Sequence, residues 1–598
     1  MLVGPGETTG GCGDLVAVVA AETRAAARDA ATRVGVQAER LEPELDLRHA
    51  ADRSDRLVHR VEVRKGDVGA GLDAAAHVVR LQVGTAGVDP CFVEPEAALA
   101  VPLEGGRLRV YTAGQDLFRD LEQLASVTGL DPDLCEVVHL PAGGSGGGAR
   151  LDMTVALHAA VLALRTGRPV KLALEMAESS RIHAGRHPTE THVELGCNED
   201  GHLVALRATV LLDTGGHTGA GPLVADTIAR HASLAYDIEH VHVDVRCVRT
   251  DNPASGASPG LGVPEYAFAV ETALDRLAEE AGFDAFDLRA VNLVDAGQRT
   301  ADGLVVPDGW DPDPVLDAMQ GEADRLLDAG LTVGAALGVH ISALPSDVAV
   351  AEVEVVSGGG GHVRIHTGFS ELSQGFHPLA ATTAATVTGL PVDVFEVVSA
   401  TDADVPCGPT LAERDRRLGL AAVREAAAEL AAALSSAGGR LEALVGRRFL
   451  AEAEAGPAMA LCGQVVGLDG DGALAELVVV SDVGPRPLDA HERGLLSGAV
   501  QQAVEAAVMA EREVDADGMP ETRWTKLGVM KARFAPKITL RPVPGAVRGA
   551  VFEAAATPTA AALASALFAA TGQWQERLPM KATPVARAMG VRPPRKQG

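Results

Sequence analysis

Five glycines fall among the six residues 143–148, within Pro141-Ala-Gly-Gly-Ser-Gly-Gly-Gly-Ala-Arg150. Such a stretch lets the backbone approach a ligand closely. The residues before it, 135–140, read as a short strand, and those after it as a helix that Asp152 can cap. Strand, glycine loop and helix N-terminus together point successive N–H groups at an anion, and a phosphorylated ligand is the natural candidate. The spacing Gly144-Ser-Gly146-Gly-Gly-Ala149 also fits a dinucleotide fingerprint, with Glu175 closing the next strand, while a plain surface turn carries similar weight on spacing alone. His240 and His242 alternate along a strand and could form a metal pair, but without a third ligand such histidines are usually structural.

The elements that would position these residues belong to a mixed α/β (α+β) chain. Its 598 residues exceed one core and call for at least two large domains. Residues 14–60 read as a strand over 15–20 and an alanine-rich helix over 22–34, part of a small N-terminal domain spanning 1–60. Residues 61–312 alternate strands (108–111, 241–245) with helices such as 268–280, and the Asp-, Gly- and Pro-rich stretch 297–314 marks a boundary. A second large unit, 313–598, contains strands near 350–356 and 361–366 and a long alanine helix over 418–435. The helix after the glycine loop is expected to bury Leu157, Val161 and Leu164.

Composition excludes several partners. With 52 basic and 81 acidic residues the net charge is −29, which repels nucleic acid and anionic membranes. Seven scattered cysteines form no C-x-x-C pair, so no iron–sulfur or zinc site is expected in this chain. No apolar run approaches the ~20 residues of a membrane span, and the start lacks a signal peptide's pattern, so a cytoplasmic setting is expected. Aromatics make up only 3%, leaving Val, Leu and Ala to pack the core.

Several separated landmarks occur in a recognisable order: Val93-Glu-Pro-Glu-Ala, Gly114-Gln115-Asp, Gly143-Gly144-Ser-Gly146-Gly147, Arg186-His187-Pro188, Gly260-Leu-Gly262-Val-Pro264, Glu371-Leu-Ser-Gln374-Gly375, Glu553 ahead of Thr557-Pro558-Thr559, and Leu578-Pro-Met-Lys. The chain resembles the molybdenum-binding large subunit of the xanthine dehydrogenase and aldehyde oxidase family, including its selenium-dependent xanthine dehydrogenase branch. The resemblance implies a partial hammerhead-like N-terminal domain followed by two elongated molybdopterin-binding domains. It implies hydroxylation of a purine-like N-heterocycle or an aldehyde with water as the oxygen source. It also implies a molybdenum cofactor held through its pterin with no direct metal ligand, and iron–sulfur and FAD groups on partner subunits, in a complex that can dimerise. By the same resemblance, Gly143, Gly144, Ser145, Gly146, Gly147, Gly260, Gln374, Gly375 and Thr410 would contact the cofactor. Gln115 and Glu553 would be catalytic: the amide as donor to the metal's oxo group, the carboxylate as general base, just ahead of a helix start at Thr557-Pro558.

Departures cluster at the same site. Ser145 and Gly148 stand where the family has phenylalanine and usually lysine. Ser258-Pro259 stands where an arginine commonly precedes Gly-x-Gly. In the segment 408–415, Glu413 and Asp415 replace small hydroxyl residues and are expected to repel an anionic cofactor. The turn 547–552 is bulkier than the family's glycine-rich one. These losses leave a second reading, a cofactor-free relative kept as a structural partner in the complex.

Overall fold

Along Val348–Val356 the residues Ala349, Ala351, Val353 and Val355 are buried, the period-two pattern of a strand with one face on a core. The computed structural model describes residues 3–4, 6–143, 151–342, 347–356, 362–546 and 549–591. In it this strand belongs to an eight-stranded sheet ordered Arg448–Glu454, Val348–Val356, His362–Thr367, Phe395–Ala400, Cys135–His139, Leu108–Thr112, Ala97–Pro102 and Val170–Ala173. The two sequence-distant halves of this sheet join where Ser399 and Ala400 pair antiparallel with His139 and Val138. A six-stranded sheet is ordered Leu57–Lys65, His240–Arg249, Leu203–Gly215, Thr189–Cys197, His77–Thr85 and Arg577–Leu578. A four-stranded sheet holds Thr332–Ser342, Ala458–Leu468, Leu474–Asp482 and Ile538–Val543.

The main apolar core runs from Val63 to Met589, so residues on both sides of position 312 share it. Its centre is the helix Val263–Ala281, whose Glu271 accepts hydrogen bonds from the buried Arg289 (2.8 Å) and from the backbone N–H of Leu337 (2.9 Å). With few aromatics, the core closes by near approach of small residues. At Gly334 a Cβ would lie 2.0 Å from the Ala566 nitrogen on the helix Thr559–Thr571.

Several expectations change. Residues 16–20 form no strand: among the described residues none pairs with them, they are exposed or half-buried, and only Leu15 makes an isolated bridge. The helix after the glycine loop is Val155–Thr166, begins at Thr154 rather than Asp152, and buries Ala156, Ala159, Ala160 and Ala163 while Leu164 is exposed. Its alanine face is the one inside because the facing strands come too close for leucine. The helix start at Thr557-Pro558 is present, Pro558 being the N-cap of Thr559–Thr571; together with the preceding turn Val551–Ala556 it makes an apolar run long enough to cross a membrane by composition, contrary to expectation, but 78% of its apolar window is buried within the protein.

Candidate functional site

Four segments distant in sequence meet beside the joint in the eight-stranded sheet. Gln115 lies just past the strand Leu108–Thr112, ahead of the helix Leu117–Thr128 that Asp116 caps. Its carbonyl accepts from the Thr410 N–H at 2.6 Å, and the Thr410 hydroxyl accepts from the Ser370 N–H at 2.9 Å. Behind them His139 bridges Asp120 (2.8 Å) and the Ser370 hydroxyl (2.7 Å), all three buried. A side chain at Gly114 would fall 2.2 Å from Asp120, so only glycine lets the Gln115 segment lie against that bridge. Burial raises the Asp120 carboxyl to about 6.

The end of the strand Cys135–His139 leads into the second segment. The Ala142 N–H donates to the Glu371 carbonyl at 2.9 Å, the Ser373 hydroxyl donates to the Ala142 carbonyl, and the Gly143 N–H donates to the Glu94 carboxylate. Gly144, Ser145, Gly146 and Gly147 lie outside the described residues.

Glu371 opens the third segment by accepting from the N–H groups of Gly375 (3.0 Å) and His377 (2.9 Å), at the start of the helix Phe376–Thr388. There its negative charge meets the positive helix end. Gly375 has φ +79°, and the Gln374 carbonyl is gripped by Arg416 (2.8 Å) and His491 (2.9 Å), leaving the Gln374 side chain at the surface.

Glu553 occupies the fourth segment. It sits inside the helical turn Val551–Ala556 rather than in a loop ahead of it, and its carboxylate accepts from the Gly260 N–H. Burial pushes the Glu553 carboxyl above the ordinary range, against the Gly260 N–H and the Arg186 charge, which lower it. The preceding N–H, of Phe552, donates to Glu413 at 2.7 Å, and the Arg416 guanidinium lies 5.6 Å from the Phe552 ring centre. Glu413 and Arg416 thereby join the Glu553 helix to the Thr410 and Gln374 segments. Glu413 does not stand as a loose repelling charge, as its sequence position suggests. Asp415 is buried, with burial raising its carboxyl to about 6 and the neighbouring Arg416 lowering it. Gly549 packs so tightly that a Cβ would lie 2.6 Å from the Met459 backbone.

A cavity of about 520 Å³ opens beside Gln115 and reaches Gly256 and Ala257. No phenylalanine, tyrosine or tryptophan lines it among the described residues, and Glu553 and Gln374 lie outside its lining. Gln115, Thr410, Gly143, Gly375, Gln374, Gly260 and Glu553 are thus brought into one connected region. Reasoning from sequence missed Arg416 and His491, and gave Arg186 no role beyond that of a motif landmark. Nothing in their spacing marks them, because each acts on a backbone carbonyl far away in the chain. His240 and His242 do not pair around a metal: His240 Nδ1 accepts from the Asp67 N–H at 3.2 Å, and His242 faces Glu62. Glu352, Glu354 and His366 converge elsewhere on the eight-stranded sheet, where Arg448 lies 3.2 Å from both glutamates and serves as their counter-charge.

Residues 49–293 and 316–453 match two models, each described as a molybdopterin cofactor-binding domain. Over 301 residues the chain is 31% identical to the nicotinate dehydrogenase large molybdopterin subunit of Eubacterium barkeri, covering 49% of this chain and 71% of that one. Over 306 residues it is 26% identical to the xanthine dehydrogenase/oxidase of Gallus gallus, covering 50% of this chain and 22% of that one. The fold matches that of the aldehyde oxidoreductase from Desulfovibrio gigas with a TM-score of 0.84 at 22% identity, over 96% of this chain and 68% of that chain. Matching domains, the Eubacterium barkeri relative covered over most of its length, and the shared fold together establish that the chain belongs to the molybdopterin-binding large subunits of the xanthine dehydrogenase and aldehyde oxidase family.

Proposed function

We propose that this chain is the catalytic subunit of a molybdenum hydroxylase that oxidatively hydroxylates a purine-like N-heterocycle or an aldehyde, with water as the oxygen source. The observation that carries the reading is the seat of Glu553, a half-buried carboxylate held by the Gly260 N–H on a turn that Glu413 ties to the Thr410 segment.

Backbone N–H groups of Gly143, Gly260, Gly375 and Phe552 attract negative charge, each holding a carboxylate oxygen of Glu94, Glu553, Glu371 or Glu413 that an anionic pterin would have to displace to use the same donor. Gln374 and Gly375 would hold the pterin, with Gly143, Thr410 and Gly260 lining its seat, and Gly144, Ser145, Gly146 and Gly147 completing the cradle. When bound, the molybdenum cofactor supplies a two-electron redox centre for carbon hydroxylation. Gln115 would orient a ligand oxygen through its side-chain amide. Glu553 would take up, on a carboxylate oxygen, the proton that the attacking water-derived oxygen must lose, a role helped by burial, which raises its pKa. Electrons would leave to iron–sulfur and FAD groups on partner subunits.

Protein purified from its own host should carry close to one molybdenum and one pterin per chain, and Glu553→Gln should lower turnover by at least about 100-fold with the metal retained. A folded chain with neither metal nor pterin, or a Gln variant with wild-type turnover, would overturn the reading.

A further inference from the structure

We infer that Arg186 is the positioning residue for Glu553, acting through the Pro259–Gly260 peptide. This rests on the reading of Glu553 as the general base. The Arg186 guanidinium donates to the Pro259 carbonyl at 2.7 Å, and the N–H of the same peptide unit, that of Gly260, donates to Glu553. One peptide plane is therefore held at both ends, by a cation on its oxygen and a carboxylate on its nitrogen.

The geometry of the turn makes that hold consequential. The Leu261 N–H donates to the Ser258 carbonyl at 2.8 Å, closing a β-turn with Pro259 and Gly260 at its centre, and Gly260 has φ +83°. Proline at the second position and a positive φ at the third define a type II turn, which differs from type I chiefly by a flip of the central peptide. The central peptide here is the one Arg186 grips. A flip would carry the Gly260 N–H away from Glu553 and leave a half-buried carboxylate without that donor. The next two residues are also left-handed, Leu261 at φ +49° and Gly262 at φ +85°, so the turn has no regular ladder of its own to resist the flip.

Arg186 is itself fixed. Its other arm donates to Glu265 at 2.8 Å, its side chain is 15% exposed, and its own N–H donates to the Val88 carbonyl at 2.8 Å. A guanidinium on the carbonyl polarises the peptide and strengthens its N–H as a donor. This chain has proline at the position where the family resemblance places an arginine side chain. Here a cation reaches Glu553 from a distant segment of the chain, with the peptide as the intermediate.

Other charges around Glu553 are already engaged. Glu265 is bound to Arg186, Glu413 to the Phe552 N–H, and Arg416 to the Gln374 carbonyl. On the helix Ala490–Val508, which packs against the Glu553 turn, His491 holds that same carbonyl and Glu492 is paired with Arg486. On the adjoining strands, His340 is buried in its neutral form, Glu476 pairs with Lys537, and Asp482 accepts from the Gly484 N–H.

The test follows the Glu553 carboxyl directly. Infrared difference titration of the holoprotein, with Glu553→Gln as the blank, isolates its C=O band. In Arg186→Gln the midpoint should move up by at least about one pH unit, a tenfold change in proton affinity. Arg186→Lys, which keeps the charge but cannot hold Glu265 and Pro259 together, should move it up by less. The acid limb of kcat/KM should follow the band. An unmoved band in a folded Arg186→Gln protein refutes the inference, and if that variant does not fold, an unmoved band in Arg186→Lys does the same. Should Glu553→Gln retain turnover while the band still shifts, the general-base reading fails and the positioning role stands.

Discussion

At the residue scale, Glu413 is the side chain whose chemistry inverts between sequence and structure. In sequence it is an acid intruding where small hydroxyls are expected; in space it is the acceptor for the Phe552 N–H at the start of the turn that carries Glu553. It holds that position at φ +56°, a left-handed conformation that a glutamate tolerates only when something rewards it. Glu413→Ala should therefore destabilise the protein by about 1.5–3 kcal/mol, the range for a lost charged hydrogen bond, and hasten amide exchange at Phe552. Glu413→Gln, which keeps a neutral acceptor, should fall between. Exchange at Phe552 unchanged in the Ala variant would show that Glu413 does not hold the turn.

At the element scale, the helix Val155–Thr166 shows how a core with few aromatics is closed. Its buried face is alanine, and its leucine at position 164 points outward. Hydrophobicity alone selects Leu157, Val161 and Leu164 as the inner stripe; the close approach of the strand Ala97–Pro102 selects the alanines instead. Ala160→Leu should accordingly cost about 1–3 kcal/mol through overpacking. Leu164→Ser should stay within about 0.5 kcal/mol, as an exposed substitution does. Urea denaturation separates the two outcomes, and the reverse ranking would restore the leucine stripe.

At the scale of the whole molecule, the parts of the chain before and after position 312 are tied by buried polar contacts as well as by a shared core. His231, at the end of the helix Gly221–Arg230, donates from Nδ1 to the Thr227 carbonyl and accepts at Nε2 from the Ile341 N–H (2.8 Å) on the strand Thr332–Ser342. The bond accepted at Nε2 requires the neutral ring, whereas the Nδ1 donation survives protonation. Burial lowers the His231 imidazole to about 4, against which the Thr227 carbonyl works in the opposite sense. Because the folded value lies below the unfolded one, its contribution is complete above pH ~6.5 and is lost as pH falls toward 4. The loss amounts to about 3 kcal/mol. In His231→Gln, which can keep both bonds without titrating, the drop in unfolding free energy between pH 7.5 and 4.5 should be smaller by about that amount. An identical drop in both proteins would remove His231 from the pH response.

Local chemistry is what the sequence determines by itself. Strands such as 108–112 and 135–139, the helix around 263–281, the glycine at 375 and the ordered landmarks from Val93 to Lys581 are legible because periodicity, φ > 0 positions and motif order are properties of neighbours along the chain. The same is true of the residue types at the candidate site, Gln115, Thr410, Gln374 and Glu553. Tertiary structure alone decides what those side chains face. The Glu553 carboxylate meets a Gly260 N–H 293 positions away, the Gln374 carbonyl is held by Arg416 and His491, and the eight-stranded sheet closes across the chain at Ser399 and His139. A backbone N–H or C=O has the same identity at every residue, so no spacing rule can announce which one a distant arginine or glutamate will find. Only the packing of alanine and glycine faces, which sets how near two backbones come, makes that choice.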